Sequence, residues 1–315
     1  MKAPVKPFFS VIIPTYNCAK KLSWTLDSVT SQSFRDFEVL VMDDGSTDNT
    51  KVVVESFHDP RIHYAWAPNS GGPATPRNRG IKAASADWIC FLDADDIWYP
   101  AKLDVIADEI ARNPNVDLLC NNEFLSLVGV GKKLLLRYGP FERNFYRIML
   151  LEGNRVSTSA TTVRRAFLTK HALSFNQSPD YVIVEDYDLW LRIALFGGRF
   201  HFIDTPLGEY VIDDGNISSN LTKLQRNRMT LLRDHTYRIQ TFELDKDRLW
   251  KRIYARELVT SAKNMIMNNK FSLGVDALRL AFFSSFTSTS WYILSKTTSA
   301  VRASISKSRK WGAES

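Results

Sequence analysis

Three acids, Asp93, Asp95 and Asp96, follow directly on the apolar run Trp88-Ile89-Cys90-Phe91-Leu92. Such a run suits a strand covered on both faces, as strands of parallel α/β sheets are. Asp93 and Asp95 stand two residues apart, and in extended chain such residues project to one side. Carboxylates that close repel, and one is driven toward protonation unless a cation sits beside them. Oxygen-only ligands suit Mg²⁺ or Mn²⁺, and Mg²⁺ is commonly held by one or two carboxylates plus substrate phosphates. Taken alone, Asp-x-Asp reads equally well as an acidic loop capping the next helix.

Two further polar clusters carry chemistry. Asp43-Asp44-Gly45-Ser46 also follows an apolar run, and Asp43 or Asp44 could accept hydrogen bonds from a base N–H or a ribose hydroxyl. The same acids before Gly45 also read as ordinary turn residues. Val182-Ile183-Val184 leads into Glu185-Asp186, and a helix carrying Leu189, Ile193 and Ala194 on one face follows. Acids at a helix amino terminus are stabilised by its dipole, which is reason enough for them to be there. The functional alternative is a carboxylate base aimed at a bound hydroxyl, with Trp190 offering a flat face to a sugar ring. Trp in such a place is more often core. Arg77 has the fork that matches phosphate geometry.

The elements that must position these groups alternate. Strands are expected at Phe9–Ile13, Phe37–Met42, Ile62–Trp66, Trp88–Leu92 and Val116–Cys120. Helices are expected from about Lys20 to Gln32, through Val52 and Val53 to Phe57, around Arg77 and Asn78 to Ala84, and over Leu103–Ile110. Alternating β and α units imply a doubly wound, mostly parallel α/β sheet. Pro14–Asn17, Asp43–Ser46 and Asp93–Asp96 each come immediately after a strand. In open α/β sheets ligands bind beyond the carboxyl ends of strands, so the three motifs converge on one cleft. The glycine cradles G-x-G-x-x-G and G-x-x-x-x-G-K-[ST] are absent, so dinucleotide and P-loop readings lack their phosphate sites. Residues 155–163 are β-branched and predict an antiparallel or edge strand, Leu134 to Asn154 is mixed and partly helical, and Leu224–Ser285 is helical.

At 315 residues the chain can bury a large core, and 44% hydrophobic with 24% charged residues is ordinary for a globular protein. A net charge of +7 fits a phosphate-bearing partner without selecting nucleotide, nucleic acid or anionic lipid. No nucleic-acid recognition module is visible, so nucleic acid is not expected as a partner. Cys18, Cys90 and Cys120 are odd in number and widely spaced, which suits free thiols of a reducing, cytoplasmic compartment. The sequons at Asn216 and Asn220 then read as chance matches. No secretory leader is apparent, because the apolar run near the amino terminus spans only Val11–Ile13. No stretch approaches the ~20 apolar residues of a membrane span; Leu273 to Leu294 is broken by Asp276 and Arg279. Lys296, Arg302, Lys307, Arg309 and Lys310, interleaved with Trp291, Tyr292, Val301, Ile305 and Trp311, read as a basic amphipathic surface for anionic lipid or as a solvated tail.

With these residues in view, the chain resembles the family 2 glycosyltransferases, inverting enzymes of GT-A fold. The resemblance rests on five motifs in order: Val11–Asn17, Val41–Asp48, Asn69 through Arg77-Asn78-Arg79-Gly80-Ile81, Phe91–Asp96 and Glu185–Arg192. It covers about residues 8–215 and implies a GT-A catalytic domain over 1–222; residues 223–315 carry no motif of the family, and their composition instead predicts a helical basic region that associates with membrane or a partner chain. It implies that Pro14, Thr15, Tyr16 and Asp44, with Asp43 beside it, hold the uridine of a UDP-sugar, and that Arg77 lies near base and diphosphate. It places Asp93 at the ribose or donor sugar, Asp95 (with Asp93) on Mn²⁺ or Mg²⁺, and Asp186 as catalytic base with Glu185 adjacent. Many relatives have Ala where Pro76 stands, which is expected to shift the helix start. A late His ligand of some relatives has no counterpart in Tyr210–Ser218. The implied activity is hexosyl or N-acetylhexosaminyl transfer to a glycan or lipid-linked acceptor in surface-polysaccharide assembly, by a cytoplasmic enzyme that contacts the inner face of the membrane peripherally and admits a homo-oligomer. A metal-dependent nucleotidyltransferase and a non-catalytic nucleotide-sugar-binding module are the alternatives.

Overall fold

The structure, a computed structural model, describes residues 6–127, 131, 133–212, 220–267, 271–290 and 292–294. The basic residues from Lys296 onward, Trp291 and the sequon at Asn216 lie outside the described residues. Contacts divide the chain into two compact units, Met1–Met149 with Asn154–Leu231, and Leu150–Gly153 with Leu232–Ser315.

The first unit opens with β1 (Phe9–Thr15), α1 (Ala19–Thr30), β2 (Phe37–Asp43), α2 (Thr50–Ser56), β3 (Ile62–Trp66), α3 (Ala74–Ala83) and β4 (Trp88–Phe91). Every residue of β1 is buried, because both faces of the sheet are covered. Val11 and Ile13 join Leu22, Leu26 and Val29 of α1 in one core. Those three recur at i, i+4 and i+7, the apolar stripe of an amphipathic helix. Ile12 points to the other face, where α3 lies so close that a Cβ on Gly80 would stand 2.4 Å from Ile12 Cγ2. α3 starts at Ala74, and Pro76 sits within its first turn, where its missing N–H has no intrahelical partner to lose.

The chain continues through β5 (Ile97–Trp98), α4 (Lys102–Arg112), β6 (Leu118–Leu127), β7 (Lys133–Leu136), α5 (Phe145–Glu152), β8 (Thr161–Arg164), α6 (Arg165–Lys170), α7 (Glu185–Leu195), β9 (Phe200–Ile212) and α8 (Leu221–Asp234). Among the described residues the strands form one nine-stranded sheet in the order β3-β2-β1-β4-β8-β6-β9-β5, with β7 paired to β6. The half built from β3, β2, β1 and β4 is parallel. β8 then enters antiparallel between β4 and β6, in the sheet interior and not at its edge. From β1 the chain winds outward to β2 and β3, then crosses through α3 to β4 on the other side of β1. That reversal of strand order is the switch point at which α/β sheets bind ligands.

Two local expectations are corrected. Val182-Ile183-Val184 is no strand: Pro179–Tyr181 forms a 3₁₀ turn, and Ile183 takes a φ of 78°, which a β-branched residue in a strand cannot have. Residues 155–160 precede β8 as loop. β9, 13 residues long and parallel to β6, is not apparent in the sequence, because Asp204, Thr205 and Pro206 interrupt its apolar alternation where the register with β6 shifts.

The second unit is helical, with α9 (Lys246–Met267) and α10 (Phe271–Ser284). Gly274 permits close packing, since a Cβ there would lie 2.6 Å from Ile266 Cγ1. Among the described residues no helix is long and apolar enough to cross a membrane.

Candidate active site

The carboxyl ends of β1, β2 and β4 open into a cleft of about 1180 Å³ within the first unit. That exceeds the roughly 300–1,000 Å³ of most small-molecule sites, so it has room for a nucleotide-sugar and part of an acceptor. Pro14, Thr15, Tyr16, Asp44, Arg77 and Asp93 line it, as do Asp95, Glu185 and Asp186.

Asp43 stands apart. It is fully buried, and its two oxygens accept from Ser46 N–H at 2.7 Å and from the Tyr64 hydroxyl at 2.6 Å. It shapes the turn after β2 and does not line the cleft. Asp44 does line it, with its carboxylate held by Ser70 through backbone N–H (3.0 Å) and hydroxyl (2.8 Å). The turn between them needs Gly45: its φ is +88°, and a Cβ would meet Asn69 N at 2.5 Å. Thr15 Oγ1 is buried without a hydrogen-bond partner among the described residues, and Tyr16 is half exposed.

The acids after β4 have distinct surroundings. Asp93 Oδ1 accepts from Arg77 Nη2 at 2.6 Å. Asp95 lies 3.8 Å from Lys21 Nζ of α1. Asp96 is buried, and its oxygens accept from Ser159 Oγ (2.5 Å) and Val211 N–H (2.9 Å). Burial and the neighbouring acids Asp95, Asp93 and Glu123 push its carboxyl well above the usual range. Asp96 borders the same cleft as Asp93 and Asp95, yet both of its oxygens are engaged by the fold. Among the described residues no three His, Cys, Asp or Glu form a complete metal cage. Asp93 and Asp95, two hard carboxylates lining the cleft, fit Mg²⁺ or Mn²⁺ bound jointly with a diphosphate.

Arg77, at the second turn of α3, reaches across the sheet end. Its Nη1 donates to Glu185 Oε1 at 2.6 Å, so its fork is spent on two carboxylates and not presented free to a phosphate. Their charges outweigh burial and hold the guanidinium firmly protonated. Glu185 and Asp186 form the first turn of α7, entered through the strained Ile183. Asp186 Oδ1 accepts from Tyr187 N–H (2.6 Å) and Oδ2 from Thr158 Oγ1 (3.1 Å). Burial and the charge of Glu185 push its carboxyl up to about 7, against the pull of Arg77. A carboxylate with proton affinity near neutrality can take a proton from a hydroxyl and give it up again.

Trp190 is core and no sugar platform: it is fully buried, with ring centroids 6.1 Å from both Phe91 and Phe175. Lys21, Thr158 and Ser159 are site residues that the sequence reading passes over. Lys21 follows the first strand motif by four residues, which is a usable signal; the two hydroxyls are hidden in a run that reads as strand. All three cysteines are free thiols.

Comparison with known proteins fits this arrangement. The family model described as glycosyl transferase family 2 matches residues 10–171. The chain belongs to this family. The amylovoran biosynthesis glycosyltransferase AmsB of Erwinia amylovora is 29% identical over 64% of this chain and 69% of its own. The UDP-Glc:alpha-D-GlcNAc-diphosphoundecaprenol beta-1,3-glucosyltransferase WfgD of Escherichia coli is 30% identical over 71% of this chain and 85% of its own. Among solved structures, S. aureus TarS 1-349 in complex with UDP-GlcNAc superposes with a TM-score of 0.64 at 23% identity, covering 88% of this chain and 81% of that one. The sheet is thus the GT-A sheet, followed by a helical region. As a family 2 member the chain is a glycosyltransferase, which removes the nucleotidyltransferase and non-catalytic alternatives.

Proposed function

We propose that this chain transfers a hexosyl or N-acetylhexosaminyl group from a UDP-sugar to a hydroxyl of a glycan or lipid-linked acceptor, with inversion, in the assembly of a surface polysaccharide. One relative is named for amylovoran biosynthesis and another for a diphosphoundecaprenol-linked acceptor with a UDP-glucose donor, which supports the substrate classes. The observation that carries the mechanism is the placement of Asp186 in the same cleft as Asp44 and Asp95, where burial pushes its carboxyl up to about 7.

Asp44 and the unpartnered Thr15 Oγ1 hold the uridine end. Asp95, with Asp93, holds Mn²⁺ or Mg²⁺, which when bound supplies positive charge against the diphosphate. Asp186 removes the proton of the acceptor hydroxyl as that oxygen bonds to the anomeric carbon and the bond from that carbon to UDP breaks. The proton then passes from Asp186 to solvent as products leave. Glu185 is tied to Arg77, so it positions Asp186 and is not placed as a second nucleophile. One base without a nucleophilic partner means direct displacement and inversion. The helical region beyond residue 222, with its basic end, serves to approach anionic lipid carrying the acceptor.

The test is a panel of UDP-sugars with Mn²⁺ and lipid-linked acceptors, following UDP release and the anomeric configuration of the product by NMR. Acceptor-dependent UDP release with inverted product is expected. A retained configuration, or turnover with other nucleotide-sugars only, would overturn the reading.

A further inference from the structure

Ser159 lies in the loop before β8, 1% exposed, and joins four groups. Its Oγ accepts from Asp93 N–H at 3.1 Å and donates to Asp96 Oδ2 at 2.5 Å. Its carbonyl accepts from Lys102 Nζ at 2.7 Å and from Trp98 Nε1 at 2.9 Å. A hydroxyl has one donor and two acceptor positions, so both contacts of Oγ can be made at once. Asp95 is thereby bracketed: the backbone of Asp93 on one side and the carboxylate of Asp96 on the other are fixed by one hydroxyl. The preceding residue, Thr158, donates to Asp186 Oδ2. Adjacent residues therefore touch the acid loop after β4 and the first turn of α7.

Lys102 explains how that loop is kept in place. It is fully buried, and its ammonium lies over the Trp98 ring at 4.3 Å. An apolar side chain of similar length would fill this space without desolvating a charge. What the ammonium adds is a strong, directional donor to one backbone carbonyl. Glu123, fully buried in the same region, supplies opposite charge to Lys102 and accepts from the Tyr138 hydroxyl at 3.1 Å.

We propose that Ser159, clamped through its carbonyl by Lys102 and Trp98, is the positioning residue that fixes the direction of Asp95, and that with Thr158 it sets the spacing between the acid loop and Asp186. Asp93, Asp95 and Asp186 are the groups that meet substrates; Ser159 and Lys102 act through them. The part of this inference that concerns metal affinity rests on the donor reading given above.

The full-length chain tests it in two ways. Hydrogen exchange of the ligand-free protein reads the loop directly: in Ser159→Ala the amides of Asp93–Asp96 are expected to exchange about tenfold faster relative to those of β1, the equivalent of one lost hydrogen bond. Titration of Mn²⁺ in the presence of UDP reads the consequence: the half-saturating Mn²⁺ concentration is expected to rise roughly 10–100-fold, as when groups supporting a metal ligand are removed. Thr158→Val is expected to leave that concentration within about twofold and to lower kcat instead. The double variant Lys102→Met with Glu123→Gln, which alters the clamp without touching the hydroxyl, is expected to move both readouts in the direction of Ser159→Ala. The inference is overturned if Ser159→Ala melts earlier yet keeps loop exchange at the wild-type ratio, or if Thr158→Val shifts the Mn²⁺ requirement as much as Ser159→Ala does. If the wild-type chain itself shows no Mn²⁺-dependent UDP binding, the donor reading fails, and hydrogen exchange still decides the role of Ser159.

Discussion

Arg77 Nη1 lies 2.6 Å from Glu185 Oε1, and this bond ties α3 to the first turn of α7 across 108 residues of chain. Both side chains are almost wholly buried, at 5% and 4% exposure. A pair so placed owes little to net stability, because desolvating two charges offsets most of their attraction. Its value is geometric: the other Nη of Arg77 holds Asp93, so one guanidinium fixes a cleft acid from each half of the sheet unit.

Removing that guanidinium should therefore be severe. Arg77→Met leaves Glu185 buried without its partner, and a loss of about 3–5 kcal/mol is expected in urea unfolding. Arg77→Lys keeps the charge but presents a single point instead of a fork, so it should also unfold earlier and turn over more slowly. Wild-type urea midpoint and turnover in Arg77→Lys would show that the fork is not needed.

Gly80 tests how closely α3 must lie. Alanine is normally favoured over glycine inside a helix by roughly 1 kcal/mol. Here its Cβ would sit 2.4 Å from Ile12 Cγ2, so overpacking of about 1–3 kcal/mol should win and Gly80→Ala should destabilise. Combining it with Ile12→Ala should cost less than the two changes summed, because the smaller side chain removes the clash. Strict additivity in thermal unfolding would rule out the contact as the cause.

Metal removal separates the acids after β4. Chelation with EDTA should abolish transfer, and Mn²⁺ should restore it. Asp95→Asn should raise the Mn²⁺ concentration at half-maximal rate by at least about 10–100-fold, the range found even for indirect ligand support. Asp96→Asn, which weakens one of the two anchors beside Asp95 and the bond to Val211, should lower stability and shift the Mn²⁺ requirement less than Asp95→Asn does. Equal shifts in Mn²⁺ requirement for the two variants would contradict the separate placements of Asp95 and Asp96.

Much of the cleft is legible in the sequence because polar residues stand immediately after apolar strands, which puts Thr15, Asp44, Asp93 and Asp95 at one sheet end. Asp43 and Asp44 could not be told apart in that way: adjacent acids in a turn differ only by which way the chain points them, and Tyr64 and Ser70 decide that. The direction of Arg77 was equally hidden, since its two carboxylate partners lie 16 and 108 residues away. Lys102 and Ser159 carry no local sign at all. A lysine at a helix start and a serine in a β-branched run are ordinary, and only tertiary packing makes them partners. β9 is hidden for a different reason, as the irregular register around Pro206 breaks the period on which strand recognition depends.

The protonation of Asp186 offers the sharpest test of the mechanism. Its carboxyl is raised to about 7, so the carboxylate that accepts a proton is populated above that pH. kcat/KM should rise with pH and level off above neutrality. Asp186→Asn should lose that limb together with about 10²–10⁴ of the rate. Thr158→Val removes a hydrogen bond that favours the charged form, so its limb should move to higher pH. Stability provides an independent sign. A carboxyl with a folded pKa above its unfolded value stabilises the fold below the unfolded value of about 4, and that contribution is lost as pH rises through about 7. The neutral amide of Asp186→Asn does not ionise, so the variant should be more stable than wild type at alkaline pH and should converge with it in acid. A rising limb that persists in Asp186→Asn, or a wild type more stable than this variant at alkaline pH, would remove Asp186 from the role of base.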